Sequence, residues 1–122
     1  MTDIKQAGRP KRLSVERRVV DGVPIVTAQG EIDHEVRDLF RDALLSEDGV
    51  MAPLRIVVDL SGVTFMDSSG INVFGAAHRR VRDAQGWLRI AGAQESVVRV
   101  LHIVGLDEVI ACCPTVEQAL TP

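Results

Sequence analysis

The hydrophobic pattern changes period several times along the chain, and each change marks an element. Leu13 to Val20 and Val23 to Gln29 are β-rich and flank Asp21-Gly22, a strong hairpin signal. Gly30-Glu31-Ile32-Asp33 then leaves the sheet. Asp33 is placed to cap a helix whose apolar residues Val36, Leu39, Phe40, Ala43 and Leu44 follow helical spacing, with Gly49 and Pro53 closing the segment. Leu54 to Leu60 is apolar along most of its length, which predicts a central strand covered on both faces and ending in a turn. From about Ser69 to Ala84 the spacing is helical again, with Ile71, Phe74, Ala77 and Val81 inward and Arg79, Arg82 and Asp83 facing water. Gly86 is the expected stop, and Trp87 to Ala91 reads as the next strand. Val97, Val100, Leu101 and Val104 predict a third helix from near Gln94, ended by Gly105 and the hydrophobic contact of Leu106. Val109-Ile110-Ala111 reads as a short last strand, and Thr115 caps a final helix to about Leu120. A hairpin followed by alternating helices and strands is an α/β fold: a mixed β-sheet of four to five strands flanked by α-helices.

A chain of 122 residues fits one domain, placed here at residues 13–120 after a basic, flexible tail of residues 1–12. Its only aromatic residues are Phe40, Phe65, Phe74 and Trp87, so Val, Leu, Ile and Ala must build the core. No apolar run approaches the roughly 20 residues of a membrane span, and the first residues lack a signal-peptide stretch. A soluble cytoplasmic protein without membrane contact is expected. Residues 1–20 carry six Lys/Arg against Asp3 and Glu16, whereas the remainder carries eight Arg against fifteen Asp/Glu. Gly8-Arg9-Pro10-Lys11-Arg12 reads as a solvated tail, or as an arm that touches nucleic acid or an acidic partner. The acidic remainder argues against direct nucleic-acid binding through the folded surface.

The usual catalytic sets are missing from the sequence. Neither G-x-x-x-x-G-K-[ST] nor G-x-G-x-x-G occurs, and the only lysines, Lys5 and Lys11, lie in the tail. His34, His78 and His102 fall in different segments with no pair at helical i, i+4 spacing, and Cys112 and Cys113 are adjacent rather than spaced as metal ligands. Ser68 is not in a G-x-S-x-G element, so a hydrolase nucleophile is not indicated. Asp59, near the end of the central strand, suits a phosphoaspartate receiver, but that chemistry also needs an acidic pair after the first strand and a lysine after the last. Both are lacking. The expectation is a protein that is no enzyme and needs no cofactor and no metal.

Asp67-Ser68-Ser69-Gly70 stands out because it falls where a helix begins. Backbone N–H groups at a helix start lack intrahelical partners, and the helix dipole favours negative charge there, so a hydroxyl at this point is well placed to carry phosphate. Simple helix capping accounts for the same residues. Spacing alone leaves both readings open.

The longer string from Asp59 to Ile71, Asp-Leu-Ser-Gly-Val-Thr-Phe-Met-Asp-Ser-Ser-Gly-Ile, closely resembles the phosphorylation segment of the bacterial STAS-domain family of anti-sigma factor antagonists. Gly30-Glu31-Ile32-Asp33-His34 resembles that family's entry to its first helix, and Leu101 to Leu106 its third-helix ending. The resemblance implies a partner switch. The unphosphorylated protein binds an anti-sigma factor, often a GHKL-type serine kinase, and so frees a sigma factor; the kinase phosphorylates the serine matching Ser68, and a PP2C-type phosphatase resets it. Asp33, Asp67, Ser69 and Gly70 match positions at or beside the acceptor and are the expected partner-facing residues, joined on the same helix by Asn72 and Arg79. Family members often carry Gly-Leu-Gly after the serines where this chain has Gly70-Ile71-Asn72, so Asn72 is a candidate for tuning partner choice. The alternative is a non-catalytic STAS scaffold of a stress-signalling or lipid-transport complex, without phosphorylation. A weak homodimer is the oligomer considered.

Overall fold

Asp21 and Gly22 both take positive φ, 53° and 81°, and turn strand β1 (Ser14–Val20) back into β2 (Val23–Ile32). Two left-handed residues match the twist of an antiparallel pair, which is why Asp-Gly serves here. This arrangement comes from a computed structural model, which describes residues 12–46 and 54–121. The expected basic tail up to Lys11 and the helix stop at Gly49 and Pro53 lie outside the described residues. After β2 come a single 3-10 turn (His34–Val36), α1 (Arg37–Leu45), β3 (Arg55–Met66), α2 (Ser68–Asp83), β4 (Trp87–Ala91), α3 (Glu95–Ile103), a second 3-10 turn (Leu106–Glu108), β5 (Ala111–Cys113) and α4 (Val116–Leu120).

The strands lie in one mixed sheet in sequence order, β1 antiparallel to β2 and the rest parallel. Each crossover from β2 to β5 steps in the same direction. Right-handed connections then put α1, α2 and α3 on the same face. Phe40 and Leu44 of α1, Val73, Phe74, Ala77 and Val81 of α2, and Val97 and Leu101 of α3 accordingly share one core with Ile56, Val58 and Leu60 of β3. Phe40 meets Phe74 edge to face at 5.4 Å between centroids, a contact of about 1 kcal/mol that locks α1 to α2. On the other face, Ala119 of α4 packs with Val23, Ile25, Val57 and Ala91 in a smaller cluster. Thr115 starts α4 by accepting the Gln118 N–H at 3.1 Å.

Several expectations need correction. β2 does not stop at Gln29 but runs to Ile32, and β3 does not turn after Leu60 but runs to Met66. The turn expected after Leu60 is absorbed by bulges. The pairing steps from Thr27↔Asp59 to Gln29↔Gly62 and from Gly30↔Val63 to Glu31↔Phe65, each step adding one residue to β3. The Asp59 carboxylate accepts the Ser61 N–H at 2.9 Å, so it pins the first bulge. Gly86 stands at the end of α2 as expected, although it is not the residue that turns left-handed. Gln85 takes that conformation (φ 59°), and the Gly86 N–H closes the helix on the Val81 carbonyl at 2.7 Å. Glycine is needed at 86 because a Cβ there would strike the Leu54 carbonyl. The final strand starts at Ala111, two residues late, because Leu106–Glu108 winds into a 3-10 turn that drops Ile110 into the core. Leu39 (48% exposed) and Val104 are outside the core, Ile71 is half-buried, and Val73 takes the buried place beside Phe74. Gly105 does supply the left-handed end of α3, at φ 80°.

Candidate functional site

β2 and β3 end side by side, with Ile32 opposite Met66 in the last pair. The Asp67 N–H donates to the Ile32 carbonyl at 3.1 Å, which ties the first residue beyond β3 to the last residue of β2. Each strand is followed by an aspartate in extended conformation. Asp33 Oδ1 accepts the Glu35 N–H at 3.0 Å, and Asp67 Oδ1 accepts the Ser69 N–H at 2.8 Å. The same N-cap therefore appears twice, once on each side of a strand junction.

This junction presses the start of α2 onto the sheet. Gly70 is buried there, and a Cβ on it would meet the Met66 side chain and lie 3.0 Å from Ile32 Cγ2. Ser69 points inward as well and is only 8% exposed. Ser68, the first helical residue, is exposed. The two serines, equivalent by composition, are thus separated by a helix rotation of about 100° per residue. One hydroxyl faces solvent at the positive end of the helix dipole, and the other belongs to a residue buried against the protein.

Ser68, Asn72, Gly75 and Arg79 fall at i, i+4, i+7 and i+11 and so share one stripe of α2. Ser68, Asn72 and Arg79 are exposed, and Gly75 leaves a gap between them. Arg79 Nη1 lies 3.8 Å from where a Gly75 Cβ would be, so the guanidinium folds back toward the Ser68 end. The structure brings Asp33, Asp67 and Ser68 together at the strand ends, sets Asn72 one turn along α2, and leaves Arg79 roughly 16 Å along the helix axis from Ser68. Ser69 and Gly70 lie beneath this surface rather than on it.

Phe65 was not singled out by sequence reasoning as part of the site, yet it is 48% exposed and paired with Glu31 next to the junction. Its neighbours Ile32 and Met66 face the helical core, so Phe65 and Glu31 face the opposite side. The bulge at Thr64 hid this from simple alternation.

The other polar clusters lie elsewhere. His102, at the end of α3 where the parallel strands begin, shares a hydrogen bond of 2.9 Å with Asp107, whose carboxylate holds the imidazole pKa above its ordinary 6.5. Partial burial pushes the Cys112 thiol up, with Asp107 adding to the effect; Cys112 and Cys113 are free thiols on β5. Among the described residues no group of three or more His, Cys, Asp or Glu is arranged to hold a metal ion, and no helix is long and apolar enough to cross a membrane.

Residues 14–119 match the STAS domain family. The chain belongs to that family. Its STAS relatives include the anti-sigma-F factor antagonist RsfA of Mycobacterium tuberculosis, 31% identical over 105 residues that cover 83% of this chain and 80% of RsfA. The anti-sigma-B factor antagonist of Listeria monocytogenes is 33% identical over 101 residues, covering 80% and 84% of the two chains. Among solved STAS structures, an anti-sigma factor antagonist from Mycobacterium paratuberculosis superposes with a TM-score of 0.81 at 27% identity, covering 92% of this chain and 94% of that one. The five-stranded mixed sheet and its helices are thus the STAS fold, and the hairpin, the Ser68 junction and α2 all fall inside the matched span.

Proposed function

We propose that this protein is an anti-sigma factor antagonist that works as a partner switch controlled by phosphorylation of Ser68. In the unphosphorylated form, the Ser68 junction with the Asn72–Arg79 stripe of α2 docks on an anti-sigma factor and frees a sigma factor in the cytoplasm. The anti-sigma factor is a serine kinase of the GHKL type, and a PP2C-type phosphatase removes the phosphate. The protein itself supplies an acceptor and a surface, and no catalysis.

The observation that carries this reading is the contrast between Ser68, exposed at the first helical position, and Ser69, buried one residue later. A kinase must reach the hydroxyl, and only one of the pair is presented. Phosphate adds about −1.5 to −2 charge at neutral pH. The helix N-terminus tolerates that charge, so the fold persists. The Asp67 and Asp33 carboxylates flank the same point, and the phosphate concentrates negative charge on a surface that had been fitted to a neutral hydroxyl. Repulsion and unpaired burial at the interface then eject the partner.

Incubation with the kinase and ATP, followed by peptide mass spectrometry, tests the assignment. One phosphate on Ser68, abolished in Ser68→Ala, is expected. Phosphate on Ser69, or labelling that persists in Ser68→Ala, contradicts it.

A further inference from the structure

The end of the sheet away from Ser68 holds a cavity that the switch does not use. It encloses about 220 Å³ between the last turns of α2, the start of β4 and the loop before β5. His78 and Arg82 of α2, Trp87, Leu88 and Arg89 of β4, and Val109 contribute to its walls. Arg82 lies roughly 21 Å along the α2 axis from Ser68, so the two sites occupy opposite ends of one helix.

Its charge is one-sided. Two arginines and a histidine line the cavity, and no lining residue is acidic. Arg89 is fixed: its Nη1 donates to the Ala119 and Thr121 carbonyls at 2.8 and 2.6 Å, and its guanidinium lies 3.8 Å over the Trp87 ring. Arg82 meets Asp83 through Nε at 3.8 Å on the open surface, a contact too long and too wet to hold it. The carbonyls at the end of α2 would ordinarily repel an anion. Here the Ala84, Gly86 and Gln85 N–H groups donate to the Arg80, Val81 and Arg82 carbonyls, at 3.1, 2.7 and 3.0 Å, and so mask that negative end.

The edge of β4 adds a donor and an apolar wall. The Trp87 N–H is spent on the Leu54 carbonyl, on the β3 side, so the next N–H, of Leu88, points the other way. β5 reaches back along β4 only to Arg89, which leaves that N–H toward the cavity rather than toward a strand. Val109 stands at the rim, apolar yet 56% exposed. The volume is below the roughly 300 Å³ at which drug-sized pockets begin, so it suits a single ring or a short chain.

We infer that this cavity binds a small organic acid. The carboxylate lies on Arg82, His78 and the Leu88 N–H, and a ring-sized apolar body covers Val109 beside Trp87. The inference does not rest on the proposed switch, and it stands or falls without phosphorylation of Ser68.

Trp87 is the only tryptophan, so its fluorescence reports on this cavity. The intact, unphosphorylated chain is titrated at neutral pH and constant ionic strength with benzoate, with benzamide as a neutral isostere and with inorganic phosphate as a bare anion. Benzoate should change the Trp87 emission saturably, with a Kd on the order of a millimolar for a ligand of about nine heavy atoms. Benzamide should bind about tenfold more weakly, and Arg82→Gln should weaken benzoate by about the same factor with an unchanged circular dichroism spectrum. Amide NMR shifts on adding benzoate should centre on His78, Arg82, Leu88 and Val109. Benzamide binding as well as benzoate overturns the charge recognition, and phosphate binding as tightly as benzoate overturns the organic acid as the ligand class. No saturable change by either readout, full affinity in Arg82→Gln, or shifts centred on Ser68 overturn the site itself.

Discussion

The Asp67 amide donates to the Ile32 carbonyl at 3.1 Å, so one hydrogen bond fastens the end of β3 to the end of β2. Two aspartate caps, an exposed serine and a buried one are arranged around that bond. Stability and the proposed switch therefore draw on the same few residues, and their contributions should separate by mutation.

Asp67→Ala removes the carboxylate that accepts the Ser69 N–H at 2.8 Å. Loss of an N-cap costs about 1 kcal/mol, which for a domain of this size lowers Tm by roughly 4 °C. Asp67→Asn keeps an acceptor and should recover most of the loss. Thermal denaturation of the two variants checks this, and an unchanged Tm in Asp67→Ala would deny the cap its role.

Two glycines of α2 should respond to alanine with opposite signs. At Gly70 a Cβ collides with Met66 and Ile32, and overpacking of this kind costs about 1–3 kcal/mol. At Gly75 the nearest atom is the end of the Arg79 side chain, 3.8 Å away, so Gly75→Ala should gain up to about 1 kcal/mol of helix propensity. Denaturant unfolding of both variants measures the pair of signs.

The order of elements and most of the core were legible because periodicity follows burial. Phe74, Ala77 and Val81 lie where helical spacing put them, and Ile56, Val57, Val58 and Leu60 fill a strand covered on both faces. What stayed hidden was set by backbone geometry that side-chain identity does not announce. The segment after Leu60 reads as a turn, but the Asp59 carboxylate pins a bulge there and β3 runs on to Met66. The same bulging turned Phe65 outward, and the 3-10 turn after Gly105 delayed β5. At the site, the Asp-Ser-Ser-Gly string located the helix start correctly, with Asp67 as its cap. Which serine faces solvent needed the structure, since it depends on how far Gly70 sinks between Met66 and Ile32.

His102 and Asp107 give a pH signature remote from Ser68. The imidazole pKa is raised in the folded chain, first by its hydrogen bond to Asp107 and then by the charge of that carboxylate. A raised folded pKa means the pair's contribution is fully present below the unfolded value, near 6.5, and is lost as pH rises through the folded value. The stability advantage of wild type over Asp107→Asn should therefore shrink as pH climbs through that window. NMR titration of His102 should show its midpoint above 6.5 in wild type and lower in Asp107→Asn; equal midpoints would remove the pair from the account.

The most direct measurement for the switch is the affinity of the cognate anti-sigma factor for two forms of the intact chain, unmodified and stoichiometrically phosphorylated on Ser68, titrated calorimetrically under one set of conditions. A differential binding energy of about 3 kcal/mol corresponds to a Kd rise on the order of a hundredfold on phosphorylation, with the circular dichroism spectrum unchanged. Equal Kd values for the two forms would contradict the account.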